Sequence, residues 1–449
     1  MALQLVKETD LYADAFRAFL DNLRGGQPSW LRRMRESAFE KFERVGFPTV
    51  QEEDWKYTNV APIARTHFSP VLDGNQATHG DDRRFAAFLY DEARHSQLVF
   101  VNGVFQKDLS SLETLPPGVV AVDFAEALRD GQYETIVREH FERDANDENG
   151  FTALNTALFS SGAFVLIPAS VAIEKPIHLL FVSQARDGNA PASFPRALIV
   201  AGANSAATVV ENYVGPGNRV YLTNAIVDLV LASGARLQHY KIQRESSSAF
   251  HVATTNAEVG KDASYDTTTI NLGAALSRHN IAVTLDHEGG ECAVDGLYMI
   301  DASQHTDTHS VIDHRQPRCT SHQLYKGILD GRSRAVFNGK VFVRHGAQQT
   351  DAQQTNKNLL LSNEARVDTK PQLEIFADDV KCAHGAAVGR LDEDELFYLE
   401  SRGISPSLAR NMLTYGFAEE VIEKIKIESI KRELDEAVLH RLHTDLEIR

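Results

Sequence analysis

Cysteine is scarce in this chain, and its scarcity removes several classes of protein at once. Cys292, Cys319 and Cys382 are the only three among 449 residues, and no CxxC pair occurs. A disulfide framework and a zinc ribbon both need more thiols at closer spacing, so a reducing compartment is expected, with the chain in the cytoplasm. Long apolar runs are missing too. No stretch reaches the ~18 apolar residues of a membrane span, and Met1 to Leu11 carries Lys7, Glu8 and Asp10 where a secretory signal would need an apolar segment. Positive charge is in deficit: Lys plus Arg number 46 against 62 Asp plus Glu, a formal charge of −16. Such a surface repels nucleic acid phosphates and anionic membranes, so neither is an expected partner. Common catalytic signatures are absent as well. There is no GxxxxGK[ST] loop, no GxSxG elbow and no HExxH, and Gly215-Pro216-Gly217 lacks the third glycine of a dinucleotide site. ATP, if it is used, must be held by a partner.

Hydrophobic residues at 43% and charged residues at 24% are enough for a sizeable core, and the length suits two or three folding units at ~100–200 residues each. Three textures follow one another. Residues 1–150 read as a helical domain with one short hairpin. Leu11, Phe16, Phe19, Leu20 and Leu23 recur at helical spacing, as do Trp30, Leu31, Met34, Ala38, Phe39 and Phe42, and Gly46 with Pro48 ends the second helix. A loose loop is expected near Asp73 to Asp82. Leu98–Val101 and Val104–Phe105 flank Asn102-Gly103, the pair that supplies the positive φ angles of a type I′ turn.

Residues 151–390 change to short β-branched runs punctuated by Gly, Asn and Asp. Gly202, Gly234, Gly260 and Gly289 fall 32, 26 and 29 residues apart, each followed by a small residue and a fresh strand: Ala203, Ala235, Ala263 and Cys292. A period of this size in an all-β stretch fits the coils of a β-helix or a large sandwich, and we favour the solenoid, whose coils bury their apolar faces by stacking. Residues 391–449 revert to helix. Asp392 with Glu395 forms a capping-box-like start, Gly403 is a C′ residue, and Ser405-Pro406 opens a second helix. Leu408, Met412, Leu413, Val421, Ile422 and Ile425, then Ile430, Leu434, Val438 and Leu442, make an apolar stripe. These helices are expected to dock as a cap on the solenoid end or on another protein.

Two constellations could carry chemistry. The run His305-Thr306-Asp307-Thr308-His309-Ser310-Val311-Ile312-Asp313-His314, with His322 beyond, offers imidazole and carboxylate. On a strand His305, Asp307 and His309 share one face, a possible metal site, or else a polar ladder on a wetted face. The second is Val380-Lys381-Cys382-Ala383-His384-Gly385. Cys382 and His384 point the same way on a strand, and Lys381 could favour the thiolate. Thiolate with imidazole suits iron or iron–sulfur species, but two ligands cannot close a shell. A second chain would have to complete it. The plainer reading of Cys382 is a buried structural cysteine.

The string Pro371-Gln372-Leu373-Glu374-Ile375-Phe376-Ala377-Asp378-Asp379-Val380-Lys381-Cys382-Ala383-His384-Gly385, continuing through Gly389, Asp392 and Phe397-Tyr398-Leu399-Glu400-Ser401-Arg402-Gly403-Ile404, resembles the SufB/SufD family of iron–sulfur cluster assembly scaffolds. Phe337-Asn338-Gly339, Thr350-Asp351, Gln354 to Leu360 and Glu53-Asp54-Trp55-Lys56-Tyr57-Thr58 add to the resemblance. It implies a right-handed parallel β-helix core between helical domains, and assembly with a SufB-like paralogue and SufC-like ABC-type ATPases. The ATPases would dock on the C-terminal helical region, where Phe397, Tyr398, Arg402 and Gly403 are the candidate contacts. Cys382 and His384 would lie at the seam between paralogues, as transient ligands of iron or a nascent cluster shared with the partner. No catalytic residue and no stably bound cofactor is implied for the isolated chain, and a homodimer is expected where the paralogue is missing. Two rivals stand beside this scaffold reading: a metal-dependent hydrolase using His305, Asp307, His309 and His314, and a purely structural solenoid that binds partners through a sheet edge and its terminal helices.

Overall fold

A computed structural model describes residues 10–23, 26–72, 88–113, 115–143, 149–185 and 188–442. The loop expected at Asp73 to Asp82 and residues 1–9 lie outside them. The two N-terminal helices form as their periodicity predicts, over Asp10–Asn22 and Ser29–Val45. Phe16 stacks on Phe39 with ring centroids 4.2 Å apart, Trp30, Leu31 and Phe42 are buried, and the second helix ends at Gly46 with φ +67°. Together with the helix Gly150–Leu158 they cover Leu222, Val252 and Leu276 on the outer side of a long sheet.

That sheet is one of two walls of a β-solenoid of about eight turns. Successive strands alternate between walls. One wall holds Arg196–Ala201, Leu222–Leu231, Phe250–Val259, Leu276–Leu285, His305–His314, Arg334–Val343 and Arg366–Ile375. The other holds Ala206–Val214, Arg236–Arg244, Ser264–Asn271, Glu291–Ile300, Thr320–Leu329, Thr350–Leu360 and Val380–Gly389. All these pairings are parallel, so inward side chains stack coil upon coil into one continuous core.

The repeat is real, but its phase differs from the glycine spacing. At one corner of each coil a residue adopts positive φ: Asn204, Gly234, Asp262, Gly289, Arg318 and Gln349. These lie 30, 28, 27, 29 and 31 residues apart. Gly202 and Gly260 sit two residues before the corner, whereas Gly234 and Gly289 occupy it. Each corner N–H donates to a carbonyl of the next coil, as from Asn204 to Ser233 at 2.9 Å and from Gly234 to Lys261 at 2.8 Å. A Cβ on Gly234 would stand 2.3 Å from Asn204 Oδ1, and φ there is +70°. Gly234→Ala should therefore lose about 1–2 kcal/mol, the cost of a left-handed L-residue, read as a lowered denaturant midpoint at unchanged slope.

The two ends of the rod differ. At the N-terminal end the walls finish in antiparallel pairs. Val120–Asp123 runs against Ala163–Ile167, and the expected hairpin Gln97–Val101/Val104–Phe105, turning at Asn102 (φ +49°) and Gly103 (φ +79°), closes the other wall. At the C-terminal end Arg366–Ile375 and Val380–Gly389 each have a parallel neighbour on one side only among the described residues. Nor do the C-terminal helices cap that end, contrary to the expectation from their stripe. Pro406–Ile422 and Glu428–Arg441 lie along the flank of the second wall, burying Ala418, Val421, Ile422, Ile430, Leu434 and Val438 against Tyr240, Ile270, Leu297 and Ile328. Polar ties fix them there: Lys326 Nζ donates to Phe417 O at 2.9 Å and Lys424 Nζ meets Asp295 Oδ2 at 2.6 Å. The outward residues of the wall are apolar enough to take the stripe, and among the described residues no strand pairs beyond the last coil.

Candidate functional site

Cys382 and His384 lie on the bare last strand. In register, Cys382 sits beside Ala352 and His384 beside Gln354, both of which point into the lumen of the rod. Cys382 is half-buried and packs on the end of the core, while His384 is exposed. The pair therefore shares one face, and that face is the mouth of the lumen. The rim is apolar for an exposed edge, with Ile375, Phe376 and Val388 all open to solvent. An unpaired strand of this kind exposes a full row of backbone donors and acceptors.

Burial pushes the Cys382 thiol above its ordinary value, with the Asp351 carboxylate adding to the effect, against a backbone hydrogen bond at Ala352. The thiolate that Lys381 was expected to favour is thus disfavoured in the lone chain. Alternation along the strand puts Lys381 on the outer face, away from the sulfur. Cys292 and Cys319 are buried in the core, and desolvation raises both thiols.

The histidine run forms the strand His305–His314, and His305, Asp307 and His309 do share its outer face. His314 does not join them. It points into the lumen, where its Nε2 lies 2.8 Å from Ser321 Oγ. His305 and Asp307 are engaged by the segment Glu53–Thr58, which crosses this wall as a strap, and His309 meets Asp307. Thr58 Oγ1 contacts His305 Nε2 at 2.8 Å and donates to Asp307, Arg278 pairs with Asp307, and His309 Nε2 lies 3.2 Å from Asp307 Oδ1. The Arg278 guanidinium lies 4.3 Å from the Trp55 ring centroid and donates to Asp54 O at 2.9 Å. Burial alone would raise the Asp307 carboxyl, but Arg278, His309 and Thr58 outweigh it and hold it far below the usual carboxylate range. Among the described residues no group of three or more His, Cys, Asp or Glu is arranged to hold a metal ion. The strap ends at the last coil, where Glu53 Oε1 accepts from Lys370 Nζ at 2.9 Å. The sequence contains both the strap and the histidine run, yet nothing in their spacing joins them. Only the packing does.

Phe397 and Tyr398 lie on the helix Glu393–Ser401, which buries none of its residues, and they are 72% and 57% exposed. Arg402 lies over the Tyr398 ring at 5.1 Å, and Gly403 follows with φ +86°, as its C′ role predicts. Asp392 and Ser405 cap their helices as expected. A cavity of about 270 Å³ among the N-terminal helices, walled by Trp30, Met34, Phe141 and Thr152, includes neither Cys382 nor His384. No described helix is long and apolar enough to cross a membrane.

These features define a parallel β-solenoid protein, stopped at one end and open at the other, with a thiol and an imidazole on the open coil. Residues 181–417 match the family described as SUF system FeS cluster assembly, SufBD core domain, and residues 6–179 match the SufBD protein N-terminal region. An iron–sulfur cluster assembly SufBD family protein of Synechocystis is 35% identical over 92% of each chain. The iron–sulfur cluster assembly protein SufD of Escherichia coli is 33% identical over 89% of this chain and 90% of its own, and that of Bacillus subtilis is 29% identical over 91% and 93%. The chain belongs to the SufBD family of the SUF iron–sulfur cluster assembly system.

Proposed function

We propose that the chain is a non-catalytic, SufD-type scaffold subunit whose open last coil joins a SufB-like paralogue, with iron or a nascent cluster as cargo at the seam. The observation that supports this most is the position of Cys382 and His384 at the lumen mouth, on an edge strand open to strand addition by a second rod. Two side chains leave an iron shell incomplete, and a facing chain would supply the rest. The exposed helix carrying Phe397 and Tyr398, with Arg402 and Gly403 at its end, suits docking of a SufC-like ATPase. ATP hydrolysis there would shift the flanking helices, and their contacts with the second wall would carry the displacement to the rod. Without the paralogue, two copies of the same edge could pair as a homodimer.

Copurification from the native cell tests the reading. Wild-type chain should bring down a paralogous rod and an ATPase, with iron and labile sulfide bound. Cys382→Ser and His384→Ala should each lower recovered cluster at least tenfold while leaving the partners and the thermal midpoint unchanged, because neither side chain is a core residue. Undiminished cluster in both variants would overturn the proposal. The hydrolase reading finds less support: Asp307 is neutralised by Arg278 and covered by the strap, and His314 faces inward.

A further inference from the structure

Beside His384 the lumen holds a carbonyl with nothing to bind. Gln354 is 2% exposed, and its Oε1 has no hydrogen-bond partner among the described residues. A neighbouring amide holds its nitrogen. Gln354 Nε2 donates to Gln323 Oε1 at 2.7 Å, and Gln323 Nε2 in turn donates to Ser310 Oγ at 2.8 Å. With its nitrogen committed inward, Gln354 presents the oxygen on its remaining side. Room for this arrangement comes from the facing wall. A Cβ on Gly339 would stand 2.3 Å from Gln354 Nε2, so only glycine lets the amide lie where it does. Ser310, Gln323 and Gln354 thus form one hydrogen-bonded chain that ends in an acceptor, with Gly339 leaving it room. A buried acceptor left unpaired costs free energy and calls for a donor.

The residue in register with Gln354 on the next strand, on the same face, is His384. Neighbouring strands lie about 4.8 Å apart, within reach of an imidazole. We infer that Gln354 is a positioning residue for His384: one ring nitrogen donates its proton to Gln354 Oε1, and the other keeps its lone pair for incoming iron. Ring nitrogens of ligating histidines are commonly fixed by such an acceptor, which sets tautomer and ring orientation together. The contact tightens when a second rod covers the last coil and excludes water from the lumen mouth. This inference rests on the site proposed above.

The test uses the full chain copurified with its partner subunits, with ¹⁵N-histidine in this chain alone and His384→Ala to assign the resonance. Wild-type His384 should show a single tautomer, Gln354→Leu an average of two, and Gln354→Glu, which keeps an acceptor in place, a single tautomer again. Identical nitrogen shifts in wild type and Gln354→Leu would overturn the inference. A second readout is ferrous iron alone, retained per chain on dilution. Gln354→Leu should lower its affinity 10–100-fold at an unchanged thermal midpoint, and Gln354→Glu should recover it to within about threefold. Undiminished iron in His384→Ala would overturn the underlying reading, and with it the metal-positioning role. An altered tautomer in Gln354→Leu would in that case still establish the hydrogen bond, so the two failures can be told apart.

Discussion

Arg278→Ala should destabilise the protein by about 3–5 kcal/mol, the usual loss when one partner of a buried ion pair is removed and the other charge is left behind. Arg278 and Asp307 are almost fully buried and pair with each other within the wall, and three of the strap's ties converge on them: the Asp54 carbonyl, the Thr58 hydroxyl and the Trp55 ring. Alanine leaves Asp307 under the strap with only Thr58 and His309 to face it. The strap should then lift, because holding it down would bury an uncompensated carboxylate. Trp55 reports this directly: it is one of two tryptophans, it is buried, and its emission should shift to the red on exposure while Trp30, hydrogen-bonded to Glu134 at 2.8 Å, stays in place. The double variant Arg278→Leu/Asp307→Leu should regain most of the stability, since it leaves no unpaired charge. An unchanged emission spectrum in Arg278→Ala would show that the ion pair does not hold the strap.

That ion pair also marks where the sequence stops being legible. Local rules read well: the aromatic stripes of the first two helices, the Asn-Gly turn, the Asp392 and Ser405 caps and the Gly403 terminus are all set by neighbours within a few residues. The solenoid is legible from its period, although the glycines mislead about its phase. The corner needs only a residue that tolerates positive φ, and Asn204, Asp262, Arg318 and Gln349 fill it as well as Gly234 and Gly289 do. A search for small buried residues just after such positions, such as Ser205, Ala235, Ala263 and Cys319, would have found the correct phase. What spacing cannot reveal is which distant segment lies on which wall. Thr58 and Asp307 are 249 positions apart, and Gln354 reaches Gly339 only because two walls face each other across the lumen. The flank position of the C-terminal helices is of the same kind, since an apolar stripe states that it must be covered and not by what. Cys382 and His384 were readable as a pair from alternation alone, because a strand fixes which residues share a face. Their place at the mouth of the rod depends on which coil comes last.

Acid should weaken the rod from about pH 6.5 downward. His178 and His314 are buried and neutral. Desolvation, with Arg244 nearby, pushes His178 down to about 3, and desolvation pushes His314 down to about 4 despite Asp313 beside it. Neither ring nitrogen of His178 has a hydrogen-bond partner among the described residues, and the ring packs on Tyr90 with centroids 4.8 Å apart. Both folded values lie below the ordinary 6.5, so the sign is fixed. Above pH 6.5 folded and unfolded chains carry the same neutral rings, and stability is complete. As pH falls below 6.5 the unfolded chain takes up protons that the folded chain refuses, and stability drains away until pH passes about 4 for His314 and about 3 for His178. At about 1.4 kcal/mol per unit, each ring removes on the order of 2 kcal/mol by pH 5, or about 4 kcal/mol together. Lys241 acts at the other end of the scale. Buried and pushed down to about 8, it holds a penalised charge at neutral pH that is relieved as pH rises toward the ordinary lysine value, so stability should climb between about pH 8 and 10.5. Denaturant melts at pH 7.5, 6, 5 and 9.5 would trace the whole curve. His178→Phe, which keeps the aromatic contact with Tyr90 and has no proton to gain, should remove its own share of the acid limb, about 2 kcal/mol at pH 5. An acid slope unchanged in that variant would place the loss in other groups.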